Sequence, residues 1–261
     1  MAARLALPLS GNSATRGTRV DDQTAAIIRT QVRDGDYDRY LCVQFAPPQA
    51  RPAMLAILAF VLELGQVHRR TTREPMMGAL RFAWWREGLD ALYGGGRVPG
   101  HPVLEGLAGA VRAYALPRTA LEALVNAAED ATQGLAHDHR GLRAAAAIEG
   151  AGPLLLWLPI LGVERGGDTE AAVTCAGTAW NLTLHALARD DCEAVMRDVS
   201  DEISAGRARR RAVAKAAMPA LLPLTLAARS LRVLRQGRDP AGDCRVARQL
   251  TLLGSALLGR Y

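Results

Sequence analysis

Residues 38–104 read DRYLCVQFAPPQARPAMLAILAFVLELGQVHRRTTREPMMGALRFAWWREGLDALYGGGRVPGHPVL. The punctuation of this stretch decides the fold. A short helix over Asp38–Phe45 is stopped by Pro47 and Pro48, which cannot donate the backbone hydrogen bonds a helix interior needs. Pro52 suits the first turn of a second helix, running through Leu64 and on toward Arg70. Pro75 opens a third helix, which reaches Tyr93 before Gly94, Gly95 and Gly96 break it. Within it Met76, Leu80, Trp84 and Ala91 fall close to one face, with Arg86 and Asp90 elsewhere. Pro102 and Pro117 start two more helices, to about Ala115 and Gln133.

The same rhythm extends outward. Asp21 and Asp22 cap a first helix through about Arg33, since their carboxylates can accept its free amide protons. Downstream, a polar link from His137 to Arg143 precedes an apolar stretch over Ala144–Leu161. A helix then follows Gly166, Gly167 and Asp168 to about Arg189, and another spans Cys192–Ala217. The last two, near Leu221–Arg235 and Asp243–Leu258, are separated by Gly237–Pro240. No strand-like alternation, β-α-β rhythm or fixed-period repeat interrupts this pattern. The expected architecture is all-α, with residues 21–261 forming a single multi-helix bundle and residues 1–20 a disordered lead-in.

Composition supports that reading and excludes others. The 261 residues are 49% hydrophobic and 22% charged, enough apolar material for a sizeable core, and the 5% of aromatics disfavours an all-β protein. The net charge of +6 is compatible with an anionic partner without choosing one. Cys42, Cys175, Cys192 and Cys244 form no CxxC pair, so neither a zinc site nor a disulfide framework is expected. The longest apolar candidate, Gly150–Gly162, contains two prolines and falls below the roughly 18–20 residues of a membrane span. It reads as a core helix or a membrane-surface element, and the expectation is a cytoplasmic protein without a transmembrane segment. No nucleotide-binding glycine fingerprint or G-x-S-x-G elbow occurs, and no nucleic-acid role is expected. The run Arg207–Arg211 reads as a solvated helix face or as a contact for anionic lipid headgroups.

Several quoted residues carry a resemblance. Asp38-Arg39-Tyr40-Leu41, Phe45-Ala46-Pro47, Arg51, Ala59-Phe60 with Glu63, Glu74-Pro75, Arg81, Trp84-Trp85-Arg86-Glu87 and His101-Pro102-Val103 come in order. Asp130, Leu161-Gly162, Ala176-Gly177-Thr178-Ala179-Trp180 and Ala220-Leu221-Leu222-Pro223-Leu224 follow. Over roughly residues 30–240 the chain resembles the squalene/phytoene synthase family, particularly a divergent branch that includes complex I assembly factors. The resemblance implies an isoprenoid-synthase-like helical bundle around a deep apolar cavity. In active members, it further implies two aspartate-rich helix motifs holding Mg²⁺ against prenyl diphosphates.

The motifs are degenerate in this sequence. The resemblance puts the first-motif aspartates at Gly65, Gln66 and Arg69, and the preceding arginine at Leu62. A cation four residues from Gly65 repels Mg²⁺, although Arg69 and Arg70 could touch a phosphate directly or simply end a helix in solvent. Glu63 remains, but one carboxylate cannot replace a cluster for a cation needing several oxygen ligands. The second motif falls near Asn181–Asp191, where Leu182, His185 and Leu187 intrude. Asp190-Asp191 reads as a helix boundary, and Asp198 with Glu202 as a solvated acidic face.

The remaining candidates have plainer readings. His137-Asp138-His139 is taken as a solvated link, His68 as exposed and His101 as a cap or packing residue. Adjacent tryptophans cannot share one core direction, so one of Trp84 and Trp85 packs inward. The other, with Arg86, is a candidate interface. Tyr37 and Tyr40 flank a pocket mouth or pack the short second helix.

The expectation is therefore a non-catalytic binding or assembly factor that uses no metal and no cofactor. Its partners would be a protein of respiratory-complex assembly and an isoprenoid or lipid ligand, at the cytoplasmic side and peripheral to the inner membrane. One alternative is an active Mg²⁺-dependent head-to-head prenyltransferase whose metal site is rebuilt from Glu63, Asp130, Asp198 and Glu202. Another is a lipid- or quinone-binding protein without chemistry.

Overall fold

The computed structural model describes residues 21–71, 74–96, 98–134, 138–186 and 191–261. The expected lead-in at 1–20, together with His137, Leu187 and Asp190, lies outside them. Among the described residues there are helices and turns and no strand. The helices are α1 (Asp22–Gly35), α2 (Tyr37–Val43), α3 (Arg51–Thr71), α4 (Pro75–Tyr93), α5 (Pro102–Tyr114), α6 (Arg118–Thr132), α7 (His139–Glu149), α8 (Ala151–Ile160), α9 (Gly167–His185), α10 (Cys192–Ala208), α11 (Met218–Leu234) and α12 (Arg245–Leu258).

Local chemistry accounts for most of these boundaries. Asp21 caps α1 by accepting from the Thr24 amide at 2.6 Å. Pro75 and Pro102 occupy the first turns of α4 and α5, where a missing amide proton costs nothing. Two expected boundaries move. Of the expected link, His139–Arg143 is the start of a helix, because Asp138 caps α7 through the Gly141 amide. The helix beginning at Cys192 ends at Ala208 rather than Ala217, in turns that precede the Pro219 block.

Two long helices organise the packing. α3 lies against α1, α5, α6 and α4, and α9 lies against α10, α11, α7 and α8, while α8 touches both centres. Phe60, Ile57, Leu58, Leu154 and Trp157 fill the space between them without solvent access. At Gly150 and Gly177 backbone meets backbone. A β-carbon on Gly177 would stand 2.3 Å from Ala151 Cα and 2.4 Å from the Gly150 carbonyl oxygen. Only hydrogen fits on either glycine, and that contact sets the distance between α9 and the α7–α8 junction.

The helix expected near Leu221–Arg235 starts earlier and is more apolar than the sequence reading weighed. Lys215–Leu234 is long and apolar enough to cross a membrane by length and composition, yet 78% of its most apolar window is buried inside the bundle. It is the helix that α9, α10 and α12 pack around. α12 is pinned to α2 by Arg248, which donates to Asp38 at 2.6 Å in a pair that is largely buried. Arg229 grips Asp243 through two hydrogen bonds, fixing the link between α11 and α12.

Candidate functional site

The first-motif positions lie on the C-terminal half of α3. Leu62 is half-buried, with its δ-carbons 3.0–3.3 Å from the β-position of Gly35 in α1. Glu63 accepts a hydrogen bond from Gln31 of α1 at 2.5 Å. Gly65 leaves a gap, and Nη1 of Arg69 lies 3.3 Å from the point a β-carbon would occupy. A guanidinium thus folds over the place where the resemblance puts a carboxylate. Gln66 is half-buried, and Arg69 is exposed at the helix end.

On the α9 side, Asn181 is half-buried and hydrogen-bonds the Glu149 carboxyl. Burial pushes the Glu149 carboxyl up to about 7, against the opposing effects of that hydrogen bond and of the Arg39 guanidinium. Arg39 is itself buried and ion-paired to Asp36 at the cap of α2. Sequence reading missed this Arg39–Glu149–Asn181 group. The available signal was a lone carboxylate, Glu149, directly before Gly150 in an otherwise apolar stretch. His185 and Asp130 are exposed, on α9 and α6.

The acidic pair on α10 is no solvated face. Arg143 of α7 donates to Asp198 at 3.4 Å and to Glu202 at 2.8 Å. His139 stands between Asp191 at 3.1 Å and Asp198 at 2.8 Å. The expectation of a solvated His139 is corrected for the same reason: once α7 starts at His139, its polar side chains meet the carboxylates of α10. His68 is likewise not free in solvent, since its Nδ1 lies 3.2 Å from the Thr132 hydroxyl.

The face of α4 that carries Met76, Leu80 and Trp84 is its outer one. Met76, Leu80 and Trp84 point to solvent, with Met76 80% and Leu80 61% exposed, while Phe82, Trp85 and Leu89 pack inward. Trp85 is therefore a core residue and not an interface; it meets Phe60 edge-on at 5.2 Å. Trp84 remains at the surface, and its ring and that of Trp85 each lie 5.4 Å from His101. Arg86 is engaged by Glu129 at 2.5 Å and Asn126 at 2.8 Å, which ties α4 to α6. Below Trp84 a cavity of about 290 Å³ is lined by Glu63, Val67, Arg81, Trp84, Trp85 and His101. A larger cavity, about 740 Å³, lies between α1, α3 and α5; Ile28, Leu55, Ala110, Tyr40, Arg29 and Arg51 contribute to its wall. Tyr40 is thus at a pocket, whereas Tyr37 carries Arg245 over its ring at 5.2 Å and accepts a hydrogen bond from Gln249.

The donor set does not fit a pair of magnesium ions. Mg²⁺ needs near-octahedral oxygen ligands. α3 offers a glycine, an amide and a cation at the three implied positions. Among the described residues no group of three or more His, Cys, Asp or Glu side chains converges to hold a metal ion. Glu63 is turned to α1, Asp130 is exposed on α6, and Asp198 and Glu202 are held by α7, so these four carboxylates line no common cavity.

Comparison with known proteins places this geometry. The squalene/phytoene synthase family model matches residues 32–193. A Bos taurus protein named NADH dehydrogenase (ubiquinone) complex I, assembly factor 6 is 28% identical over 186 residues, covering 67% of this chain and 55% of that protein. Its Homo sapiens namesake is 29% identical over 154 residues, covering 55% and 46%. The chain spans about half the length of these curated relatives. Among solved structures, a dehydrosqualene synthase in complex with ligand superposes with a TM-score of 0.75 at 13% identity, covering 90% of this chain and 96% of that one. The squalene synthase HpnC from Alicyclobacillus acidocaldarius gives 0.61 at 16% identity, covering 91% and 94%. At these identities the structural likeness speaks for the all-α fold.

Proposed function

This chain belongs to the squalene/phytoene synthase family, and we propose that it has kept the family's bundle while giving up Mg²⁺-dependent prenyl transfer, serving instead as an assembly factor for respiratory complex I. One observation carries the proposal: on α3, Arg69 covers Gly65 where the metal-binding chemistry would need carboxylates. A diphosphate leaving group needs dications to offset its charge as the bond breaks, and a lone guanidinium does not supply their ligands. The similarity to proteins named as complex I assembly factors supports the assembly role.

The surface for a protein partner is the exposed row Met76, Leu80 and Trp84 on α4, since apolar and aromatic side chains spaced along one helix face suit a groove or another helix. The protein works on the cytoplasmic side of the inner membrane, as a peripheral component. The 740 Å³ cavity is within the usual size range of small-molecule sites and supports a second reading, a bound isoprenoid or lipid without chemistry.

Deleting the gene and measuring NADH:ubiquinone oxidoreductase activity in isolated membranes tests the assembly role. The expected result is a loss of assembled complex I that the wild-type chain restores and a Leu80→Asp/Trp84→Asp variant does not. Unchanged complex I alongside altered prenyl products would overturn the proposal.

A further inference from the structure

The C-terminal helix α12 is held to the bundle by one edge. Leu252 is its buried residue, packed toward α11. On the opposite side Val246, Leu250, Leu253 and Leu257 are all exposed, Leu250 by 63% and Leu257 by 77%. At 100° per residue these four fall within an arc of about 60°. Residues 244–261 contain three arginines, of which Arg248 is paired to Asp38, and no Asp or Glu. At 14 residues α12 is too short to span a bilayer, but an apolar stripe on a basic helix suits the interface plane.

A second, independent feature lies at the end of that stripe. A cavity of about 320 Å³ is lined by Arg207, Arg210, Thr225, Ser255, Arg260 and Tyr261. No Asp or Glu side chain is among its lining residues, and three guanidiniums and three hydroxyls favour an anion there. Arg207 donates to the main-chain oxygen of Tyr261 at 3.0 Å, and Thr225 donates to the Ser255 hydroxyl at 3.4 Å. Tyr261 is only 5% exposed, yet its hydroxyl has no hydrogen-bond partner. A buried, unpartnered phenol is costly unless something accepts its proton, and a phosphate oxygen would do so. Arg260 follows the exposed Leu257 and Leu258 in the chain, so the cavity and the stripe meet at one corner.

We propose that this corner docks on an anionic lipid surface: the Arg207–Arg210–Arg260 cavity takes a lipid phosphate while the Val246–Leu250–Leu253–Leu257 stripe enters the acyl boundary. The adjoining run 207–215 adds four arginines and Lys215 without an acid, of which Arg209 is paired to Asp168 at 3.6 Å. The inference rests on the peripheral-membrane part of the proposed function and gives it a site.

Vesicle flotation of the full chain tests it, using phosphatidylcholine alone and phosphatidylcholine with 30% phosphatidylglycerol, in low salt. Binding is expected only to the anionic vesicles. It should weaken about tenfold or more with Arg210→Ala/Arg260→Ala, and similarly with Leu250→Ser/Leu257→Ser. All four positions are exposed, so circular dichroism of each variant should match wild type. No flotation of the folded protein with anionic vesicles overturns the proposal. So does binding that neither variant changes, or calorimetric binding of inorganic phosphate without vesicle binding. A dimer dissolved by Leu250→Ser/Leu257→Ser, with no vesicle binding, assigns the stripe to a second copy and also overturns it. Loss of complex I in a deletion strain is read separately, so failure here leaves the assembly proposal standing, and the reverse holds.

Discussion

Replacing Gly177 by alanine adds one carbon where the structure has no room for it. The new β-carbon would lie 2.3 Å from Ala151 Cα, 2.4 Å from the Gly150 oxygen and 2.5 Å from the Ala151 amide nitrogen. All three obstacles are backbone, so no rotamer change relieves them. Reaching ordinary contact requires α9 to move roughly 1 Å away from the α7–α8 junction, and the core cannot follow without opening. Overpacking of this kind costs about 3 kcal/mol, offset by about 1 kcal/mol of helix propensity gained over glycine. The net of about 2 kcal/mol corresponds to a melting temperature roughly 4–8 °C lower for a domain of this size. Gly65→Ala is the matched control. Its β-carbon meets only Nη1 of Arg69 at 3.3 Å, the far end of a flexible side chain. That variant should melt at or a few degrees above wild type, on the order of the 1 kcal/mol propensity gain. Thermal unfolding followed by circular dichroism reads both. If Gly177→Ala melts with wild type and Gly65→Ala, the close helix crossing at Gly150 and Gly177 is wrong.

Two further perturbations address the buried charges. Glu149 keeps its proton up to about pH 7 in the folded state, against an ordinary value of 4.5. The folded protein therefore holds this proton while the unfolded chain has released it, and stability falls as pH rises from about 4.5 to about 7. The fall is on the order of 3 kcal/mol, and Glu149→Gln should remove it; urea unfolding at pH 5 and pH 7.5 checks this, and parallel behaviour of the two proteins would count against it. Arg248→Ala leaves Asp38 buried without its cation and should cost about 3–5 kcal/mol, with faster amide exchange across α12; an Asp38→Asn/Arg248→Met pair should recover much of the loss.

The fold was legible because its boundaries are written in proline, glycine and capping aspartate. α4 starts at Pro75 and ends at Tyr93, as the spacing requires. The direction of that helix was not legible. Its sequence carries two apolar stripes, Met76–Leu80–Trp84 and Phe82–Trp85–Leu89, and periodicity alone cannot say which one faces the core. α7 was hidden for the opposite reason. Its first turn is polar because it faces the acids of α10, a long-range pairing that no local pattern reveals. The degenerate first motif could be read directly as Gly65, Gln66 and Arg69. What no sequence could show is that Arg69 folds back over Gly65, or that Glu149 and Asn181 meet beside Arg39.

The central claim is that the bundle has lost the carboxylates that prenyl transfer requires. Purified protein incubated with farnesyl or geranylgeranyl diphosphate and millimolar Mg²⁺, with products resolved by mass spectrometry, tests it most directly. The account predicts no joined product above a no-protein control. Steady formation of a head-to-head product that stops on adding EDTA would contradict it.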